Sequence, residues 1–267
     1  MDSGAQYNLV DSATATENLG QGVKLIGSST AYNTIRKSTF ADGRNVPVSA
    51  GQYGGYIQGI LLENGAHDNQ IEDNTIRNMR RGLYLYQTSS TSKALSANSI
   101  RRNLFLDNSA GVYIWDSRSG GASSGTVAFS RNVYAGNGYA IQSEGATSNK
   151  TFDHETIYDS RPAGGLGAIY LKGSGGFVSV KNSIVRKSTA YGVRADSGSR
   201  LTVSYTTVSG TTSGSRSGTV SWSSTNKTSD PLFLSSFRSS ADYLYIGSTS
   251  PVYAAGSAQD PIGARAR

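Results

Sequence analysis

The chain contains no cysteine. That excludes disulfides, a thiolate nucleophile and cysteine-ligated metal, and it leaves nothing from which to infer an oxidising or reducing compartment. Helix-forming runs of Ala, Leu, Glu and Lys are also missing, and no amphipathic helix can be drawn. No apolar run approaches the roughly 18 residues that a membrane-spanning helix needs, so no membrane span is expected. Met1 is followed by Asp2 and Ser3 in place of a basic and then apolar leader, so no signal peptide is read in this chain. What is plentiful is glycine, with 32 residues in 267, together with Ser, Thr and Asn. Glycine stands at about twice its usual share, which argues an all-β, turn-rich chain. Its length suffices for one sizeable core without staples. The 25 Lys+Arg against 18 Asp+Glu give a net charge of +7, spread without a polybasic block. That balance suits an acidic polymer as partner, and no nucleic acid is expected.

Two repeats run through the sequence. In the first, a small residue precedes an apolar-x-apolar strand, starting at Gly22, Gly59, Gly82, Gly111, Gly138, Ala168 and Gly192. After an initial gap of 37, the starts lie 23 to 30 residues apart. In the second, a polar turn residue has an apolar residue three before it and another two after it. Asn74, Asn103, Asn132 and Glu155 obey this rule, Ser38 and Thr206 obey it with weaker turn residues, and Asn182 fits on its C-terminal side only. Two registers that stay in phase make each unit one coil of a solenoid of stacked parallel strands. The expected architecture is a single-stranded parallel β-helix of seven to eight coils: a lead-in stretch 1–21, coils over 22–228 and a closing cap segment 229–267, whose apolar Leu232, Phe233, Tyr243, Tyr245 and Ile246 should cover the open C-terminal coil. Strand side chains alternate, so Val23, Leu25, Ile60, Leu62, Leu83, Leu85, Val112, Ile114, Ile169, Leu171 and Val193 should be buried. Tyr113 and Trp115 should be exposed. The recurring Asn residues read as structural, because Asn tolerates a left-handed corner and its amides can bond along the axis.

This strand-turn pattern resembles the right-handed parallel β-helix repeats of pectate-lyase-like proteins. The tail, with Asp230, Pro231, Leu232 and Phe233, then Tyr243 to Ile246 and Asp260 to Ala264, looks like the closing segment of many polysaccharide-lyase-like β-helices. The resemblance implies a right-handed coil and an extracellular or cell-surface place. It also implies that this stretch could be the C-terminal part of a longer β-helix. That superfamily holds lyases, hydrolases, epimerases and noncatalytic proteins, so the fold leaves the activity open.

The alternation also defines an outward face. Its first column reads Lys24, Leu61, Tyr84, Tyr113, Ala140, Tyr170 and Arg194, and its second reads Ile26, Glu63, Tyr86, Trp115, Gln142, Lys172 and Asp196. Tyr84, Tyr86, Tyr113 and Trp115 form one aromatic patch, with Tyr170 and Glu63 beside it and the loops Gln87 to Ala97 and Asp116 to Gly125 as walls. Ring faces flanked by charges of both signs suit a sugar.

Cleavage of a uronate by β-elimination needs the substrate carboxylate neutralised and a base for the adjacent carbon-bound proton. Lys172 is the expected base, Arg194 the carboxylate partner, and Asp116 with Glu144 the catalytic acids or the ligands of a Ca²⁺ ion. Lys150 is the runner-up base. Asp116 and Glu144 would also be the carboxylates of a glycoside hydrolase, the second choice. The cluster Asp153, His154 and Glu155 resembles an epimerase element, but its register makes it a structural corner. His67 reads as solvated. The alternative to an enzyme is a noncatalytic carbohydrate-binding β-helix of the adhesin or tailspike type.

Overall fold

A computed structural model describes residues 4–18, 20–43, 57–88, 95–116, 123–145, 148–173 and 177–265. They form a parallel β-helix whose coils feed three sheets, of nine, eight and eight strands. The first sheet runs from Leu9–Asp11 to Val220–Trp222, the second from Thr14–Thr16 to Thr207–Thr211, and the third from Gln21–Ile26 to Gly214–Gly218. Within the lead-in stretch, Leu9–Asp11 and Thr14–Thr16 already pair in register with Thr34–Arg36 and Thr39–Ala41. Regular coiling therefore starts before Gly22.

The inward residues expected from the alternation are buried, apart from Val23 on the first rung, which is half-buried. The small residue that opens each third-sheet strand has a packing cause. A Cβ built on Gly22, Gly82 or Gly111 would lie 2.4, 2.8 or 2.9 Å from a ring carbon of Phe40, Phe105 or Tyr134, interior aromatics on the second-sheet strand of the next coil. One register needs correction on this account. Val112 pairs with Ile141, so the coil after Gly111 opens at Ala140 and not at Gly138. Ala140 is buried against the interior, while Gln142 and Glu144 move into the two outward columns.

Each corner is turned by a residue at positive φ, as at Asp73, Arg102, Arg131 and His154. The residue after it points inward. Asn74, Asn103 and Asn132 occupy that place and form a buried ladder: the Asn103 side-chain carbonyl accepts from the Asn74 N–H at 3.1 Å and from its Nδ2 at 3.0 Å. Asn103 Nδ2 in turn donates to the Ile71 carbonyl at 2.8 Å and to Asn132 Oδ1 at 3.0 Å. The Asn does not itself take the left-handed backbone, contrary to expectation. In the coil after His154 an Asn does take the positive-φ place, Asn182 at φ +50°, and Ser183 holds the ladder position with its Oγ accepting from the Glu155 N–H at 3.1 Å. Two further ladders, Asn33 with Asn69 and Asn98, and Asn108 with Asn137, lie at the other corners.

The closing segment clamps the side of the solenoid, whereas its composition suggested a cover for the C-terminal end. Tyr243 and Leu244 pack on Val133 and Ala135, and Ile246, Val252 and Ile262 pack on Ile184. These partners are second-sheet residues one place away from the interior Tyr134 and Val185, so they face outward. Around Val133, Ala135 and Ile184 the second sheet is apolar on both faces, and there the tail keeps its outer face from water. Arg238 pairs with Asp107, and Arg186 with Asp230 at 2.6 Å, fixing the clamp. At the end itself, Trp222 stacks in register on Val203 and carries the Arg216 guanidinium 5.3 Å above its ring.

Candidate functional site on the third sheet

Strand pairing sets two outward columns on the third sheet. The first is Lys24, Leu61, Tyr84, Tyr113, Gln142, Tyr170 and Arg194; the second is Ile26, Glu63, Tyr86, Trp115, Glu144 and Lys172. The four expected aromatics do come together. Ring centroids are 5.2 Å apart for Tyr84 with Tyr86 and with Tyr113, and 5.7 Å for Tyr86 with Trp115, edge to face.

Outward does not mean exposed, however. Trp115 is 40% exposed, but Tyr113 is 8%, Tyr84 6% and Tyr170 5% exposed. The expectation of an exposed Tyr113 fails because coils about 4.8 Å apart let long side chains lie along the axis and shield one another. Arg81 completes the cover, with its guanidinium carbon 4.3 Å from the Tyr84 ring centre and 4.5 Å from that of Tyr113. Burial pushes the Tyr113 hydroxyl up to about 12, helped by the Glu144 charge, so it stays a neutral donor.

Arg81 escaped the sequence reading because it sits before the repeat's marker glycine, Gly82. The signal was present: its column otherwise holds Gln21, Gln58, Ala110 and Tyr139. It divides two hollows. One, of about 520 Å³, is lined by Lys24, Leu61, Glu63, Tyr84, Tyr86 and Trp115, together with Arg81. The other, of about 190 Å³, is lined by Arg80, Arg81, Tyr113, Tyr139 and Gln142. Lys24 and Glu63 form an ion pair of 2.9 Å on the rim of the larger hollow.

Toward the C-terminal coils the face becomes polar. Gln142 donates to Glu144 at 2.8 Å, Tyr170 donates its hydroxyl to Asp196 at 2.7 Å, and Arg194 meets the same Asp196 at 3.4 Å. Burial and the Asp196 carboxylate push the Tyr170 hydroxyl up to about 12. Lys172 is exposed and in register with Glu144. Glu144, Tyr170, Lys172 and Arg194 thus share one surface.

Asp116 does not join them. It is 4% exposed, has the inward parity of Ile114, and pairs with Gln87 and Gly145. Asp116 and Glu144 therefore point to opposite sides of the sheet and do not fit the expected calcium site. Lys150 is fully buried between Val127 and Val178 in the first sheet, which removes it as a base for a ligand on the outer face. The loops proposed as walls lie largely outside the described residues.

The histidines are structural in setting. His154 Nδ1 lies 3.0 Å from Asp153 Oδ1 at a corner away from the third sheet. His67 is packed, not solvated: Nδ1 is 2.5 Å from Asp68 Oδ2, Nε2 is 3.1 Å from the Ser28 carbonyl, and Tyr32 meets its ring edge-on.

Residues 2–157 match a family model described as a right handed beta helix region. No curated protein matches the chain.

Proposed function

The chain belongs to the right-handed β-helix family, and from that premise we propose that the outer face of its third sheet binds an acidic polysaccharide lying along the solenoid axis. The observation that carries this reading is the floor of Tyr84, Tyr86, Tyr113 and Trp115 with Arg81 laid across it between two hollows. Pyranose rings stack their C–H faces on aromatic rings, and a cation held against that floor meets the carboxylate of a uronate. Such a polymer places the protein outside the cell or at its surface.

The reaction that fits the polar end of the face is β-elimination. Arg194 would neutralise the carboxylate and Lys172, as the neutral amine, would take the proton from the adjacent carbon; a carbon–carbon double bond forms as the bond to the leaving sugar oxygen breaks, and that oxygen takes a proton from water. The chain is incubated with a panel of uronate polymers, and the ultraviolet absorbance of the unsaturated product is followed. Turnover that is abolished in Lys172→Ala while binding persists supports the lyase. Binding without turnover in the unmutated chain supports the noncatalytic module, which the engagement of Arg194 by Asp196 favours.

A further inference from the structure

Where the tail crosses the corner between the first and second sheets it leaves a polar crevice of about 410 Å³, lined by Arg131, His154, Tyr245, Tyr253, Asp260 and Arg265. None of these residues belongs to the third sheet, so the crevice is separate from the aromatic face. We infer that it binds an anionic monosaccharide, an oxyanion carried on a hydroxylated ring.

Charge is the first reason. Along this corner Asp73, Arg102, Arg131 and His154 succeed one another, one per coil, at a spacing of about 4.8 Å. Arg102 is neutralised by Asp73 at 2.8 Å and by Glu72 at 2.9 Å. Arg131 comes next, and among the described residues it forms no ion pair. From the opposite wall Arg265 enters, held by a bond from Nη1 to the Tyr243 carbonyl at 3.0 Å and stacked 5.4 Å from the Tyr245 ring centre. Two guanidinium groups face one acid, Asp260, and two arginines in a shared hollow call for an oxyanion.

The second reason selects the ligand. Asp260 opposes a bare anion but accepts bonds from hydroxyls, and the Tyr245 and Tyr253 rings offer faces and polar tips to a sugar. The walls are also fixed. Ser257 N–H donates to Asn182 Oδ1 at 2.8 Å, Gly263 N–H to the Asn182 carbonyl at 2.7 Å, and Ala264 N–H to Thr156 Oγ1 at 2.7 Å. Little ordering is left for a ligand to impose.

The test is calorimetric titration of the full chain with glucuronate, glucose 6-phosphate, glucose and inorganic phosphate. Both sugar acids should bind, and glucose and phosphate should bind at least about tenfold more weakly, the scale of one charged hydrogen bond. Arg131→Ala and Arg265→Ala should each weaken the sugar acids by at least about tenfold, with unfolding curves like that of the parent. No binding of either acid, or unchanged binding in both arginine variants, overturns the site. Loss of the sugar acids in Trp115→Ala with both arginine variants binding like the parent assigns the ligand to the third sheet and overturns the location. Inorganic phosphate binding as tightly as the sugar acids overturns the ligand class.

Discussion

Glu155→Gln should remove one specific pH dependence from the stability of the fold. Glu155 stands in a ladder position, fully buried, with Asn132 Nδ2 donating to its Oε1 at 3.3 Å. Its carboxyl shares this buried place with the Tyr134 hydroxyl. Burial pushes the carboxyl well above its ordinary value of 4.5, and the Asp153 charge acts in the same direction. The native state therefore holds a proton that the unfolded chain releases above about pH 4.5. Stability from this group is complete below that pH and falls as pH rises toward the native value, by up to about 1.4 kcal/mol per unit. From about pH 5 to about pH 7 the parent therefore loses stability as pH rises. Glutamine keeps a carbonyl for Asn132 and has no proton to release. The Tyr134 hydroxyl, also raised by burial, does not titrate in this window. Denaturant unfolding of both proteins across this range should show the variant gaining on the parent as pH rises. Parallel stability profiles would refute the neutral acid in the ladder.

Asn103→Ala strips the Asn74 N–H and Nδ2 of their acceptor in the middle of the ladder and should cost roughly 3 kcal/mol in denaturant unfolding; a loss within error of zero would mean the ladder is ornamental. Gly111→Ala places a Cβ 2.8 Å from the Ala140 carbonyl oxygen and 2.9 Å from a Tyr134 ring carbon, so it should destabilise by about 1–3 kcal/mol. A variant as stable as the parent would count against the packing account of that repeat. Deleting residues 230–267 uncovers Val133, Ala135 and Ile184 on the second sheet; light scattering should show aggregation, and a monodisperse folded truncation would contradict the clamp.

The fold was legible because two registers of different kinds kept phase, and each has a local physical cause: interior rings against Gly82 and Gly111, and amides stacked at Asn74, Asn103 and Asn132. Where a register slipped, a look-alike residue stood near the true one. Gly138 stood in for Ala140, and Asn182 for Ser183. The aromatic patch was legible from alternation, but its burial was not, because shielding of Tyr113 depends on where Arg81 lays its guanidinium. Parity alone separates Asp116 from Glu144, and the shift of two residues at the Ala140 coil moves Glu144 beside Trp115. The path of the tail was hidden because its apolar residues fit an end or a side equally well. Only the apolar outer positions Val133, Ala135 and Ile184 hinted at the side.

The central claim, a sugar platform on the third sheet that reads acid through Arg81, is tested most directly by titrating an oligogalacturonate and a neutral oligosaccharide of equal length into three proteins. The parent should prefer the acidic ligand, and Trp115→Ala should weaken it by about 1–3 kcal/mol, the scale of one lost side-chain burial. Arg81→Ala should erase the preference for acid while keeping residual binding to both. Equal affinity of the parent for the two ligands, or an acidic ligand held as tightly by both variants as by the parent, would contradict the account.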